Sequence, residues 1–62
     1  MKKNSNVLVV NEFSVDEKIF KVGYEMRYIT RLVTGMNILI DSNSKGYLEC
    51  CDETLKNFKE VL

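Results

Sequence analysis

Residues 15–33 carry apolar side chains at two competing periods, and the period that governs them decides most of the fold. At a helical period of about 100° per residue, one set of apolar residues lies within about 40° of a single line on the helix surface. This set consists of Val15, Ile19, Val22, Met26, Ile29 and Val33. The same helix would place Phe20, Tyr24 and Tyr28 on its opposite face, where the aromatic rings would need a second burial surface.

A period of two separates these residues more completely. Even positions from 20 to 32 read Phe, Val, Tyr, Met, Tyr, Thr and Leu, whereas odd positions from 21 to 31 read Lys, Gly, Glu, Arg, Ile and Arg. β-Branched and aromatic residues favour strands, and a glycine such as Gly23 costs a helix about 1 kcal/mol. We therefore predict that residues 18–33 are mainly extended, with a bend or bulge near Gly23.

Three further strands are predicted outside this stretch. Residues 6–13 form one strand because they contain the aliphatic run 7–10, and residues 36–41 and 47–51 form two more. In the last two strands, the residues expected to share a face are Met36, Ile38 and Ile40, and then Leu48 and Cys50. Residues 42–46 (Ser-Asn-Ser-Lys-Gly) have the composition of a loop.

The C-terminal residues 52–62 show a helical pattern. The apolar stripe has spacings of four, three and four, and it consists of Cys51, Leu55, Phe58 and Leu62. Asp52 and Glu53 would lie in the first turn, where negative charge favours the helix dipole. We therefore predict a C-terminal helix.

These elements predict an α+β fold, in which a small antiparallel sheet of three to four strands is followed by the C-terminal helix. The sheet is expected to be a meander with a bend near Gly23. The alternative order is β-α-β-β-α, with a helix at about residues 14–34 that begins at a capping box formed by Ser14 and Glu17. Residues 1–62 form one domain, with a frayed N-terminus at residues 1–5.

The length and charge of the chain limit its function. A domain of 62 residues buries only about 60% of the surface of its unfolded chain, so a partner or a second copy would add to its stability. Nine basic residues balance nine acidic residues, which does not indicate nucleic acid or an anionic membrane by itself. No apolar run is long enough for a membrane span or a signal peptide, and the expected location is the cytoplasm.

No catalytic, cofactor-binding or metal-binding residues are predicted, so the protein is expected not to be an enzyme. Cys50 and Cys51 are neighbours and the chain has no histidine, so a single chain cannot complete the usual zinc shell. We interpret both cysteines as structural, with the alternative that Cys51 is reactive because it lies near a helix N-terminus. The available acids lie where ordinary solvation explains them, and they are Asp41, Glu49, Asp52 and Glu53.

Elimination leaves surface binding as the expected function. We predict a small cytoplasmic protein that regulates or inhibits a larger partner protein, is a homodimer, and is of the type that mobile genetic elements encode. The contact surface is an exposed strand edge, or a patch consisting of Arg27, Ile29, Arg31, Val33 and Leu39. A symmetric dimer would form through strand 24–33 or its edge. The alternative is a nucleic-acid-binding module that uses Lys21, Arg27 and Arg31.

Overall fold

A computed structural model describes residues 1–41 and 46–61. The chain forms seven strands and one short helix in this part. In chain order they are β1 (Ser5–Val9), β2 (Phe13–Val15), β3 (Lys18–Phe20), β4 (Glu25–Arg31), β5 (Asn37–Asp41), β6 (Tyr47–Cys50), α1 (Asp52–Leu55) and β7 (Phe58–Val61). The predicted loop at 42–46 and the predicted helical residue Leu62 fall, apart from Gly46, outside the described residues.

Five of the strands form one antiparallel sheet in the order β6-β5-β4-β1-β7. β2 and β3 form a separate hairpin. The prediction that residues 18–33 are mainly extended is confirmed in β3 and β4, and the alternative helix at 14–34 is wrong. Gly23 adopts a φ of +97° in the turn between these strands, a conformation that glycine adopts readily and other residues rarely adopt.

The core lies on one side of the sheet, which we call the inner face. Its buried residues are Val7, Val9, Met26, Tyr28, Leu39, Leu48, Cys50 and Phe58. The hairpin covers part of this face, since Phe13 stacks on Phe20 at 4.8 Å between ring centroids and meets Phe58 edge-on at 5.4 Å. Leu55 of α1 also packs against the core. The opposite, outer face has no covering element among the described residues.

The predicted α+β fold with a C-terminal helix is wrong, because the protein is mostly β. α1 ends at Leu55, and residues 58–61 form β7, which pairs with β1. β1 is rich in β-branched residues and has one edge occupied by β4, so β7 satisfies the main-chain groups of its other edge. Phe58 fits a helical stripe and a buried strand position equally well, and only the strand buries it opposite Val9.

A β-bulge in β4 explains which side chains reach each face. Tyr28 pairs with Leu39, but Thr30 pairs with Ile38, so Ile29 is an extra residue. The bulge shifts the alternation by one position and places Arg31 opposite Asn37. The alternation of β5 is not interrupted, so Asn37 and Leu39 are buried, while Ile38 and Ile40, which lie on the outer face, are half-buried.

The hairpin closes through a two-residue turn. Val15 pairs with Lys18, and the two residues between them, Asp16 and Glu17, have φ values of 49° and 70°. Positive φ at both central positions matches a type I′ turn, which suits the twist of a β-hairpin. Ser14 and Glu17 therefore belong to a hairpin and do not form the capping box of a helix.

Candidate functional site: the cleft at the edge of β6

The structure distributes the predicted contact residues over several places. Leu39 is fully buried in the core, so it does not form a surface cluster with Ile29, which is half-buried at the bulge. Arg27 is exposed on the outer face, where it pairs with Ile40. Val33 is fully exposed in the turn that follows β4. Arg31 follows the bulge and lies opposite Asn37, so it faces the inner side of the sheet.

The three cations of the nucleic-acid alternative also do not share a face. Lys21 lies in the turn between β3 and β4, where its carbonyl accepts a hydrogen bond from the Tyr24 N–H. Arg27 faces outward from the sheet, whereas Arg31 forms an ion pair with Asp52 at 2.9 Å. The aromatic residues Tyr28 and Phe20 lie on the inner side with the core.

A buried polar network lies beneath the ion pair of Arg31. Asn37 is only 1% exposed, and its Oδ1 accepts a hydrogen bond from the Tyr28 hydroxyl at 2.8 Å. Its Nδ2 donates to the Cys50 carbonyl at 3.2 Å and to Asp52 Oδ1 at 2.9 Å. These bonds tie β4, β5 and β6 to the start of α1. The network satisfies its own polar groups and therefore has a structural role.

A cleft lies between the hairpin and the edge strand β6. It has a volume of about 470 Å³. The residues that line it are Val15, Asp16, Lys18, Phe20, Met36, Tyr47, Leu48 and Glu49. Its apolar lining comes from both the hairpin and the sheet, and its charged side chains lie on both sides.

The cleft runs along the free edge of β6. Tyr47, Leu48 and Glu49 all line it, although consecutive side chains of a strand point to opposite faces. A space that three consecutive residues reach must lie beside the main chain, at the edge of the strand. Within the described part of the chain, β6 pairs only with β5, so this edge has no neighbouring strand.

The hydrogen-bonding pattern shows which main-chain groups point into the cleft. The Asp41 N–H donates to the Gly46 carbonyl at 3.0 Å, so residues 41 and 46 form a hydrogen-bonded pair. Such pairs alternate along an antiparallel ladder, which makes the pairs of Leu48 and Cys50 hydrogen-bonded as well. The N–H and C=O groups of Tyr47 and Glu49 therefore point away from β5, toward the cleft.

The other edge of the sheet, β7, is better protected. It carries the charged and exposed residues Lys59 and Glu60, and charged side chains discourage pairing at an edge. Glu60 also accepts a hydrogen bond from the Lys2 main-chain N–H at 2.9 Å. β6 has one charged residue, Glu49, and its Tyr47 side chain is 67% exposed.

A small aromatic pocket continues the cleft at the start of β6. It has a volume of about 70 Å³ and shares Lys18, Phe20 and Tyr47 with the cleft. Its other lining residues are Tyr24, Met26, Asp41 and Gly46. The Tyr24 hydroxyl donates to Asp41 Oδ2 at 2.5 Å. This hydrogen bond, together with burial and the charge of Asp41, raises the pKa of Tyr24.

The two thiols, which are not part of the cleft, have different environments. Cys50 is 3% exposed, and burial, with smaller contributions from Cys51 and Asp52, raises its pKa to about 11. Cys51 is exposed, and its Sγ lies 3.6 Å from the Thr54 hydroxyl. That hydrogen bond and the main-chain N–H groups of Thr54 and Glu53 lower the pKa of Cys51.

Residues 1–41 and 46–61 contain neither a metal-binding cluster nor a membrane-spanning helix. No group of three or more His, Cys, Asp or Glu side chains is arranged there to hold a metal ion. No helix in this part of the chain has the length and apolar character needed to cross a membrane. Comparison with known protein families, with curated proteins and with solved structures found no match to this chain.

Only part of the cleft could be predicted from the sequence. The alternation Tyr47-Leu48-Glu49-Cys50 correctly indicates a strand, and an exposed strand edge was one of the predicted contact surfaces. The pattern does not show that β6 is the edge strand, because edge position depends on the order of strands in the sheet. No local signal brings Phe20, Tyr24 and Asp41 together with Tyr47 either, since three strands and the turn before β4 supply them.

Proposed function

We propose that this protein is a small non-enzymatic interaction protein that binds an extended segment of a larger partner protein along the free edge of β6. The observation that carries the proposal is that three consecutive residues, Tyr47, Leu48 and Glu49, line one cleft at an unpaired strand edge. Adding a strand to a sheet edge is a recurrent way of recognising peptides. Binding would regulate or inhibit the partner by holding that segment.

Two features of the cleft support this mode of binding. The main-chain N–H and C=O groups of Tyr47 and Glu49 point to the open side of β6 and supply hydrogen bonds to any extended segment. The apolar side chains of Val15, Phe20 and Leu48 line the inner side, so every second side chain of the segment would be buried there. Main-chain bonds would provide affinity, and the pockets would provide specificity.

The cytoplasm is the proposed location. Cys50 and Cys51 are both free thiols, and neighbouring free thiols suit a reducing compartment. The homodimer predicted from the sequence cannot pair through an edge of β4, because β4 is central in the sheet and both of its edges are paired. A second copy that joined through β6 would compete with the partner segment for the cleft.

A proline substitution tests the proposal. Glu49→Pro removes an N–H that points into the cleft and leaves the hydrogen bonds to β5 in place, because proline is tolerated where the N–H of an edge strand faces outward. Glu49→Gln is the matched control for loss of charge. The probes are capped eight-residue peptides in which valine alternates with lysine, threonine or glutamate. We expect at least one peptide to bind the wild type and Glu49→Gln, and to bind Glu49→Pro at least about tenfold more weakly.

The peptide itself supplies a second test that leaves the protein unchanged. Methylating every second main-chain nitrogen of the bound peptide should abolish binding in one register of methylation and preserve it in the other, because only alternate N–H groups face β6. Amide exchange at Tyr47 and Glu49 should slow when the peptide binds. The proposal is wrong if no peptide binds at millimolar concentration, or if both methylation registers bind equally. Sedimentation that shows a dimer, lost in Glu49→Pro, would assign the edge to a second copy.

A further inference from the structure

We infer that the bound segment is basic and that one of its lysine or arginine side chains occupies the aromatic pocket formed by Phe20, Tyr24, Asp41 and Tyr47. This inference rests on the proposed function, because it identifies the chemistry of the segment that β6 would bind. It follows from the walls of the pocket, from the charge of the whole cleft and from the position of the pocket beside the edge strand.

The walls of the pocket suit an organic cation. Phe13 stacks on one face of Phe20, so the pocket is bordered by the remaining surface of Phe20 and by Tyr24, whose ring lies 5.9 Å from that of Phe20 between centroids at an inclination of 71°. Tyr47 borders the pocket at the first position of β6, while its register opposite Ile40 directs its ring to the outer face. A cation is attracted to the faces of aromatic rings, and the attraction is greatest where water is excluded.

Asp41 supplies a negative charge to the same pocket. One of its oxygens accepts the Tyr24 hydroxyl, which orients the carboxylate toward the aromatic side chains. A carboxylate has acceptor positions beyond the one that Tyr24 uses. An ammonium or guanidinium group could therefore meet both the rings and the carboxylate, whereas an apolar side chain would remove water from Asp41 without replacing its hydrogen bonds.

The charge of the cleft and pocket together also favours a basic segment. The described residues that line them include three acids, Asp16, Asp41 and Glu49, and one base, Lys18, which is a net charge of −2. Glu49 lies on the outer side of β6, so the segment residue opposite it would lie on the same face. A basic residue at that position would form a cross-strand pair with opposite charge.

The pocket lies where an added strand could reach it. Tyr47 is both the first residue of β6 and a wall of the pocket. A segment paired with Tyr47 and Glu49 would therefore carry one side chain past the pocket as it leaves the edge. On the hairpin side, Phe20 lines both the cleft and the pocket.

The test compares the peptide that alternates valine with threonine (the threonine peptide) with the same peptide in which the first or the last valine is replaced by lysine (the lysine peptide), because the valines lie on the inner side, where the pocket is. We expect the lysine peptide to bind the wild type about tenfold more tightly. Asp41→Asn should remove most of this preference, because asparagine can still accept from Tyr24 but carries no charge. Lys18→Gln should strengthen binding of the lysine peptide about threefold, since it removes the one cation of the described lining.

The control is Glu25→Gln, which removes one negative charge from an exposed residue of β4 that does not line the cleft or the pocket. It should leave both affinities unchanged, and circular dichroism should show that every variant is folded. Equal binding of the lysine and threonine peptides would overturn this inference and leave the proposed function intact. An equal loss of both peptides in Asp41→Asn would also overturn it. Failure of every peptide to bind would instead contradict the proposed function.

Discussion

At the scale of single residues, Asn37 is the buried polar residue of the described chain. Amide side chains are usually exposed, yet this one is 1% exposed, and it connects Tyr28, Cys50 and Asp52. Every buried side-chain polar atom of the described residues has a hydrogen-bond partner. Loss of any group of this network would therefore leave a partner unsatisfied. Removal of the amide would leave the Tyr28 hydroxyl buried without its acceptor.

We expect Asn37→Ala to lower the free energy of unfolding by about 2 to 3 kcal/mol, because it removes buried hydrogen bonds and leaves their partners unsatisfied. Urea denaturation followed by circular dichroism measures this change. Asn6→Ala is the matched control, since Asn6 is exposed on the outer face, and it should change the free energy by less than about 0.5 kcal/mol. Equal effects of the two substitutions would show that the network does not stabilise the fold.

At the scale of the elements, the turn of the β2–β3 hairpin has a residue poorly suited to its conformation. Glu17 has a φ of 70°, and left-handed conformations cost residues with a side chain about 1 to 2 kcal/mol relative to glycine. Asp16 is in the same region, but short polar side chains tolerate it better. The hairpin that forms one wall of the cleft is therefore less stable than its strand pairing alone would make it.

Glu17→Gly should raise the free energy of unfolding by about 1 kcal/mol, because Asp-Gly is a preferred pair for a type I′ turn. Glu17→Ala separates the effect of conformation from that of charge, since alanine has the same steric cost as glutamate, and it should leave stability nearly unchanged. Thermal and urea unfolding of the three proteins measure the difference. A gain in Glu17→Ala equal to that in Glu17→Gly would indicate that charge is responsible instead.

The same elements show how far the sequence determines the fold. The strand at Glu25–Arg31 could be predicted because aromatic and charged residues separate cleanly at period two. The face on which Arg31 lies could not be predicted, since the bulge at Ile29 depends on pairing with β5. Phe58–Val61 is too short to distinguish the two periods, and its assignment depends on its distant partner β1. The cleft depends on strand order, which no local pattern contains.

At the scale of the whole molecule, the two thiols provide independent reporters of folding. The exposed Cys51 has a lowered pKa, so a larger fraction is thiolate near neutral pH than in an ordinary cysteine, and thiolate is the reactive form. Burial raises the pKa of Cys50 to about 11 and also shields it from reagents. Cys50 should therefore react only when the sheet opens.

We expect alkylation of the native protein to modify Cys51 at least about a hundredfold faster than Cys50, as mass spectrometry of quenched samples would show. In Cys51→Ser, the rate at Cys50 should rise with urea in parallel with the loss of circular dichroism. Thr54→Val should slow the reaction of Cys51 near neutral pH, because its pKa returns toward the usual value. Rapid labelling of Cys50 in the absence of urea would show that β6 opens without global unfolding.

The pairing of β1 with β7 has a consequence for how the chain reaches this structure. Val9 lies opposite Phe58, so this ladder joins the first strand to the last, across all the other elements. Closing so long a loop costs entropy before any contact repays it, and small β-rich domains of high contact order fold in milliseconds to seconds. During that interval β1 has an unpaired edge that contains Val7 and Val9. The folding chain can associate with other chains through this edge until β7 pairs with β1.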